Sequence, residues 1–181
     1  HLLYSRFWHK ALFDIGLVYE QEPYIRRMNR GLIMGPDGAK MSKSKGNVID
    51  PDKEVERLGA DTVRTYLAFI GPYNEVGSYP WNPDAAVGVR RFLERVWNLR
   101  EKVKEGGNSS TTLDSTIEKV SKDISTMKMN TAVSALMIAV NEFKKLESIS
   151  KESYETLLKL LAPFAPHMTE ELWHELGHND S

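Results

Sequence analysis

Three lysines and two serines crowd the segment 35–51, GPDGAKMSKSKGNVIDP. Lys40 and Lys43 stand three residues apart, so both can approach one polyanion from the same loop. Each ammonium is a compact point charge with three donors on a long stem. Ser42 and Ser44 add small hydroxyl donors, and Gly38 and Gly46 let the backbone bend. This set suits a phosphate chain whose charge grows in a transition state. Fixed donors aimed at developing charge are among the largest catalytic contributions, one donor being worth roughly 3 kcal/mol. Glycine flanks would let such a loop close over a substrate and reopen. As composition alone, the same residues also describe solvated charge on a turn.

The elements around the loop must hold it. Leu2, Leu3, Phe7, Leu12 and Ile15 recur at helical spacing, and Gly16 supplies a stop. The chain starts at His1, without Met and inside this helical pattern, so a piece of a longer polypeptide is expected. A short apolar run, Leu32 to Met34, reads as a buried strand, and Pro36-Asp37-Gly38 as a turn. Asp50 can cap a helix with Pro51 at its first position and an end at Leu58-Gly59. Asp61 can cap the next, which carries Val63, Tyr66, Leu67 and Ile70 and stops at Gly71-Pro72. NEVGSYPWNP reads as a loop.

The remainder reads as all helix. Asn82-Pro83 starts a long one, Asn82 to Lys104, with Val87, Val89, Phe92, Leu93, Val96, Trp97 and Val103 as apolar positions. EGGNSSTT is a flexible break. Leu113, Ile117, Val120, Ile124 and Met127 make a stripe at three- and four-residue intervals. Asn130 and Ser150 can cap two further helices, and APFAP precedes a last one ending at Gly177. Amphipathic helices joined by short breaks predict an antiparallel bundle.

Composition bounds the rest. At 181 residues and 41% apolar, the chain can bury a sizeable core. A formal net charge of -1 announces no nucleic-acid partner, so any such surface must be local. Without cysteine there is no disulfide framework or thiolate metal site, which fits a reducing cytoplasm. No apolar run reaches membrane-spanning length.

KMSKS followed by GN resembles the second signature of class I aminoacyl-tRNA synthetases, and its setting agrees: an apolar run and PDG before, DP and a helix after. HLLYSRFWHKAL at 1–12, GADTVRTYLAF at 59–69, RRFLERVWNL at 90–99 and LAPFAPHMTEELW at 161–173 resemble the leucyl members of that family over nearly the whole chain. Valyl and isoleucyl members share the second half more loosely, and the HLLYSRF start favours leucine.

The resemblance implies a mainly α chain: the tail of a Rossmann-type α/β catalytic domain at 1–50, connector helices at 51–81 and a tRNA-binding helical bundle at 82–181. It implies ATP-dependent activation of leucine and its transfer to tRNA(Leu), with Mg2+ accompanying ATP, no protein metal site, and neither DNA nor a membrane as partner. Lys40 and Lys43 become catalytic phosphate-binding cations, Lys43 the more critical. Ser42 and Ser44 become supporting donors, and Met41 the residue that seats the loop. His1 would line the leucine pocket.

Arg91, Arg95 and Lys102 lie at helical spacing and could meet tRNA phosphates. A solvated face with ion pairs such as Arg91 with Glu94 is the plainer reading. His167 and His174 read as structural, with Glu170 and Glu171 in the first turn of the last helix and Leu172 and Trp173 facing inward. The aromatic residues Phe92, Trp97, Phe143, Phe164 and Trp173 read as core.

The family's first signature, His-x-Gly-His, is not in the chain. The chain by itself is therefore expected not to activate leucine. A stand-alone tRNA-binding module and a plain helical scaffold are the competing expectations.

Overall fold

Apolar residues at helical intervals decide most of this fold, and polar caps decide where each helix begins. In a computed structural model, residues 1–28, 31–73 and 77–179 are described. The chain is mainly α, with eight α-helices among those residues. In order they are α1 Leu2–Asp14, α2 Pro51–Leu58, α3 Ala60–Phe69, α4 Pro83–Leu99, α5 Leu113–Ser125, α6 Met129–Lys145, α7 Lys151–Leu161 and α8 Pro166–Glu175. Two short parallel pairs accompany them: β1 Leu32–Met34 with β2 Ser78–Pro80, and β3 Val103–Lys104 with β4 Ile149–Ser150.

Two predicted caps form, at Asp50 and Ser150, and Asn82 caps the helix start predicted at Asn82-Pro83. Asp50 accepts from Asp52 N–H, Asn82 from both Asp84 and Ala85 N–H, and Ser150 from Ser153 N–H. Two go elsewhere. Helix α3 starts at Gly59–Ala60, and Asp61 turns its carboxylate to α8 instead, 106 and 107 residues ahead. There it accepts from the backbone N–H of His167 (3.4 Å) and Met168 (2.7 Å). The first turn of α8 has no side-chain cap of its own and no acidic residue, so Glu170 and Glu171 lie beyond it. Asn130 falls inside α6, which begins at Met129, and its Oδ1 is buried without a partner among the described residues.

Other boundaries shift for reasons of pairing. Helix α4 ends at Leu99, and after a 3-10 turn at Arg100–Lys102 the β-branched Val103 pairs with Ile149. The helix predicted to run to Lys104 therefore loses its last residues to the 3-10 turn and to strand β3. The predicted 74–83 loop contains β2, held in register with β1 as Ile33 opposite Tyr79; its residues 74–76 lie outside the described residues.

Three helices end alike. After α1, Gly16 N–H bonds Phe13 O and Leu17 N–H bonds Leu12 O. After α8, Gly177 and His178 do the same to His174 and Trp173. After α5, Met127 N–H meets Ile124 O (3.0 Å) and Lys128 N–H meets Asp123 O (2.7 Å). This is the Schellman arrangement, which needs a left-handed residue. Glycine serves at 16 (φ 74°) and 177 (φ 93°), but Met127 takes φ 60° with a side chain. The predicted stripe therefore loses Met127 from α5.

Two cores result. The larger joins α4, α5, α6, α7 and α8 through Phe92, Val96, Val120, Leu136, Leu157 and Leu172. Burying each such side chain stabilises by about 1.5–3 kcal/mol. Inside it the Tyr154 hydroxyl donates to Val96 O at 3.0 Å, and burial raises its pKa. The smaller core holds Leu58, Tyr66, Trp81, Ala86 and Val89, with Ile33, Met41 and Ile49 packed on it. Phe69 and Met137 touch both. Helix α1 has no buried residue, and Phe7 is 74% exposed.

Candidate functional site

The lysine–serine loop is folded on itself. Gly35 N–H donates to Ala39 O at 2.8 Å, and Gly38, at φ 72°, closes the turn to Gly35 O at 2.9 Å. Met34 and Lys40 form an isolated antiparallel bridge, and Lys43–Lys45 make a 3-10 turn ending at Gly46 (φ 67°). The Ser42 and Ser44 hydroxyls are hydrogen-bonded to each other at 2.8 Å. Met41 packs against the smaller core. Lys40 and Lys43 are exposed, and their ammonium groups have no hydrogen bond or ion pair among the described residues. Chemically, the loop is a hydrogen-bonded turn that presents the Lys40 and Lys43 cations beside a hydroxyl pair.

Two residues that motif reasoning passed over organise it. The Asn47 side chain accepts from Ser42 N–H at 2.8 Å through Oδ1. Its Nδ2 donates to both Asp37 carboxylate oxygens at 3.2 and 3.1 Å, and to Lys40 O at 3.3 Å. Asp37 also accepts from Ala39 N–H at 3.1 Å. The Ala39 N–H, then the Asn47 amide, hold the Asp37 carboxyl below its ordinary value. The available signal was chemical: Asp and Asn beside turn glycines are the residues that fold backbone onto their own side chains.

His1 is exposed at the start of α1, and its carbonyl accepts from Ser5 N–H and Ser5 Oγ, both at 3.0 Å. The loop and His1 thus occupy different elements, with no contact between them among those described.

The predicted basic stripe is not one surface of free cations. Arg91 is exposed and unpaired among the described residues, because the ion pair on this face is Arg90 with Glu94, at 2.8 Å, rather than Arg91 with Glu94. Arg95 donates to Asn141 Oδ1 at 3.2 Å, and its Nε is buried without a partner among the described residues. Lys102 donates to Lys144 O and Leu146 O, both at 2.7 Å, at the end of α6. A cation there meets the negative end of the helix dipole.

His167 is 75% exposed at its side chain, with Nδ1 2.8 Å from Asp61 Oδ1, so it supports a helix start rather than packing inside. Phe92, Phe143 and Phe164 are buried, Leu172 likewise, while Trp97 and Trp173 are half-buried. Arg100 lies over the Trp97 ring at 4.2 Å, and Trp173 stacks on His178 at 3.9 Å. A cavity of about 630 Å³ opens among Leu58, Asp61, Arg90, Leu93, Trp97 and His167 and shares no residue with the lysine–serine loop. No described group of three or more His, Asp or Glu side chains could hold a metal ion. No described helix is long and apolar enough to cross a membrane.

Comparison with known proteins covers the same regions. The profile of tRNA synthetases class I (I, L, M and V) matches residues 4–77, and that of the anticodon-binding domain of tRNA ligase matches residues 110–181. The leucine--tRNA ligase of Chlorobium chlorochromatii is 47% identical over 192 residues, covering 100% of this chain and 24% of that protein. That of Chlorobaculum tepidum is 48% identical over 191 residues, covering 100% and 23%. The chain thus spans about a quarter of the length of these curated relatives. Among solved structures, the ternary complex of an Agrobacterium radiobacter LeuRS with tRNA and LeuAMS has a TM-score of 0.81 at 33% identity, over 99% of this chain and 26% of that one. A Mycobacterium tuberculosis methionyl-tRNA synthetase shares the fold at TM-score 0.60 and 21% identity, over 92% of this chain and 40% of that one. The chain thus carries the class I tRNA synthetase profile and the anticodon-binding profile, and along its whole length it is similar to leucine--tRNA ligases.

Proposed function

We propose that this chain supplies a leucine--tRNA ligase with its triphosphate-binding loop and part of its tRNA-binding surface. The observation that carries the reading is the pair of exposed, unpaired cations Lys40 and Lys43 on a loop already held by its own hydrogen bonds. In the reaction, the leucine carboxylate attacks the α-phosphorus of ATP and pyrophosphate leaves. Leucine then passes from the adenylate to a terminal ribose hydroxyl of tRNA(Leu). Negative charge builds on the departing pyrophosphate, and two preset ammonium groups with the Ser42 and Ser44 hydroxyls suit that site. Mg2+ accompanies ATP here, with no protein group assigned to it.

The parallel pairing of β1 with β2 supports the tail of a Rossmann-type catalytic unit at 1–50, followed by connector helices at 51–81 and a tRNA-binding bundle at 82–181. The exposed apolar face of α1 supports a larger catalytic domain that covers it, and His1 at its head fits a place in the leucine pocket. Arg91 and Arg95 fit backbone contacts to tRNA, with a lesser part for Lys102. A cysteine-free chain fits a cytoplasmic setting.

The test is ATP–pyrophosphate exchange by a full-length leucine--tRNA ligase carrying this segment. Lys43→Ala is expected to lower its rate about 100-fold and Lys40→Ala about 10-fold or more, with the leucine KM unchanged. The chain on its own is expected to show no exchange. Unchanged exchange in both variants would overturn the reading.

A further inference from the structure

We propose that Gly35, Asp37 and Asn47 form a latch that holds the lysine–serine loop in one preset shape, with Asn47 the positioning residue through which Lys40 and Lys43 are presented to a polyphosphate. The proposal rests on the phosphate reading of the loop and adds to it the residues that fix the loop's geometry.

A loop bearing Lys40, Lys43 and Lys45 repels itself and loses conformational entropy on ordering, so something must offset both. Asn47 is suited to this because its two ends are used differently. Its oxygen takes the Ser42 N–H, and its amide nitrogen feeds the Asp37 carboxylate and Lys40 O. A flipped amide would put oxygen against carboxylate and N–H against N–H, so the network itself fixes the orientation. One side chain thereby ties the turn before the first signature lysine to the residue before the second.

Gly35 is the floor of the latch. It is buried, and a Cβ built on it would lie 2.6 Å from Asp37 Oδ1 and 3.0 Å from Asn47 Nδ2 and Asn47 O. Any side chain there would push the Asp37–Asn47 contact apart. The charged group facing Asp37 is Lys45, whose attraction further favours the ionised carboxyl. The acceptor half of the latch therefore stays in place through neutral pH.

The latch is tested on the 181-residue chain by amide hydrogen exchange, read as protection factors so that intrinsic pH effects cancel. Asn47→Ala is expected to lower protection of the Ser42 amide at least tenfold while amides inside α6 are unchanged. Asn47→Asp keeps the acceptor for Ser42 but sets a second carboxylate about 3 Å from Asp37. Such a pair shares one proton when acidic and repels when both ionise, so its upper pKa is raised. Ser42 protection in this variant is expected to return as pH falls from 7 to 4, while the wild type stays flat.

In the full-length ligase, Asn47→Ala is expected to lower the rate of ATP–pyrophosphate exchange at least tenfold with the leucine KM unchanged. Asn47→Asp should recover part of that loss toward low pH. Equal Ser42 protection in wild type and N47A would overturn the latch. Loosened Ser42 with unimpaired exchange would overturn the positioning role. An unimpaired K43A enzyme would overturn the ATP reading on which presentation of the lysines rests.

Discussion

At the scale of single residues, type and spacing pointed to a candidate site, but partners had to be seen. Lys40 and Lys43 stood out through the KMSKS string, since two lysines on a loop are by composition alone ordinary solvated charge. Arg91, Arg95 and Lys102 shared a spacing yet meet different fates. Only Arg91 is left free among the described residues, whereas Lys102 closes the end of α6 through two carbonyls. This difference is measurable. Lys102→Ala is expected to destabilise the chain by about 1 kcal/mol in urea unfolding. Arg91→Ala should leave stability within about 0.5 kcal/mol and lower the salt slope of tRNA binding by about 1. The reverse pattern would exchange the roles assigned to the two cations. Spacing could not separate them because it names a helix face, and Lys102 lies past the end of α4, in the 3-10 turn.

At the scale of elements, capping residues were legible as competent caps but not as caps of a given helix. Asp50, Asn82 and Ser150 act where the sequence places them. Asp61 serves α8 because Gly59 already turns the chain into α3. The α5–α6 turn shows the same limit: a methionine at a helical interval gave no sign that it would adopt φ 60°. A left-handed non-glycine residue costs about 1–2 kcal/mol, partly offset in any glycine variant by the freer unfolded chain. Met127→Gly is therefore expected to stabilise by about 0.5–1 kcal/mol, read as a higher urea midpoint at unchanged m-value. A lower midpoint would mean that the Met127 side chain contributes more by packing than its backbone loses. Short strands were the least legible elements, since two or three residues give pairing no periodicity to read; β2 lay inside a predicted loop for that reason.

At the scale of the molecule, the mainly helical architecture was readable, because stripes at three- and four-residue intervals are long-range signals. What the stripes could not say is what each face meets. Helix α1 carries apolar residues at helical spacing, yet Trp8 is 66% exposed and none of its residues is buried. Trp8→Glu is accordingly expected to change the stability of this chain by less than about 0.5 kcal/mol, whereas Leu157→Ala in the larger core should cost about 2–5 kcal/mol. Chemical denaturation of the two variants checks the contrast, and a large loss in W8E would show that α1 is docked. The long tie from Asp61 to α8 has a consequence in time. A ribosome makes the acceptor first and the helix start that needs it 106 residues later, roughly 5–20 s at bacterial and eukaryotic rates. Within that interval α3 gains α4 and later α6 to pack on, so α8 emerges onto a surface whose capping carboxylate is already made. The order of synthesis thus supplies the acceptor before the helix start that it caps.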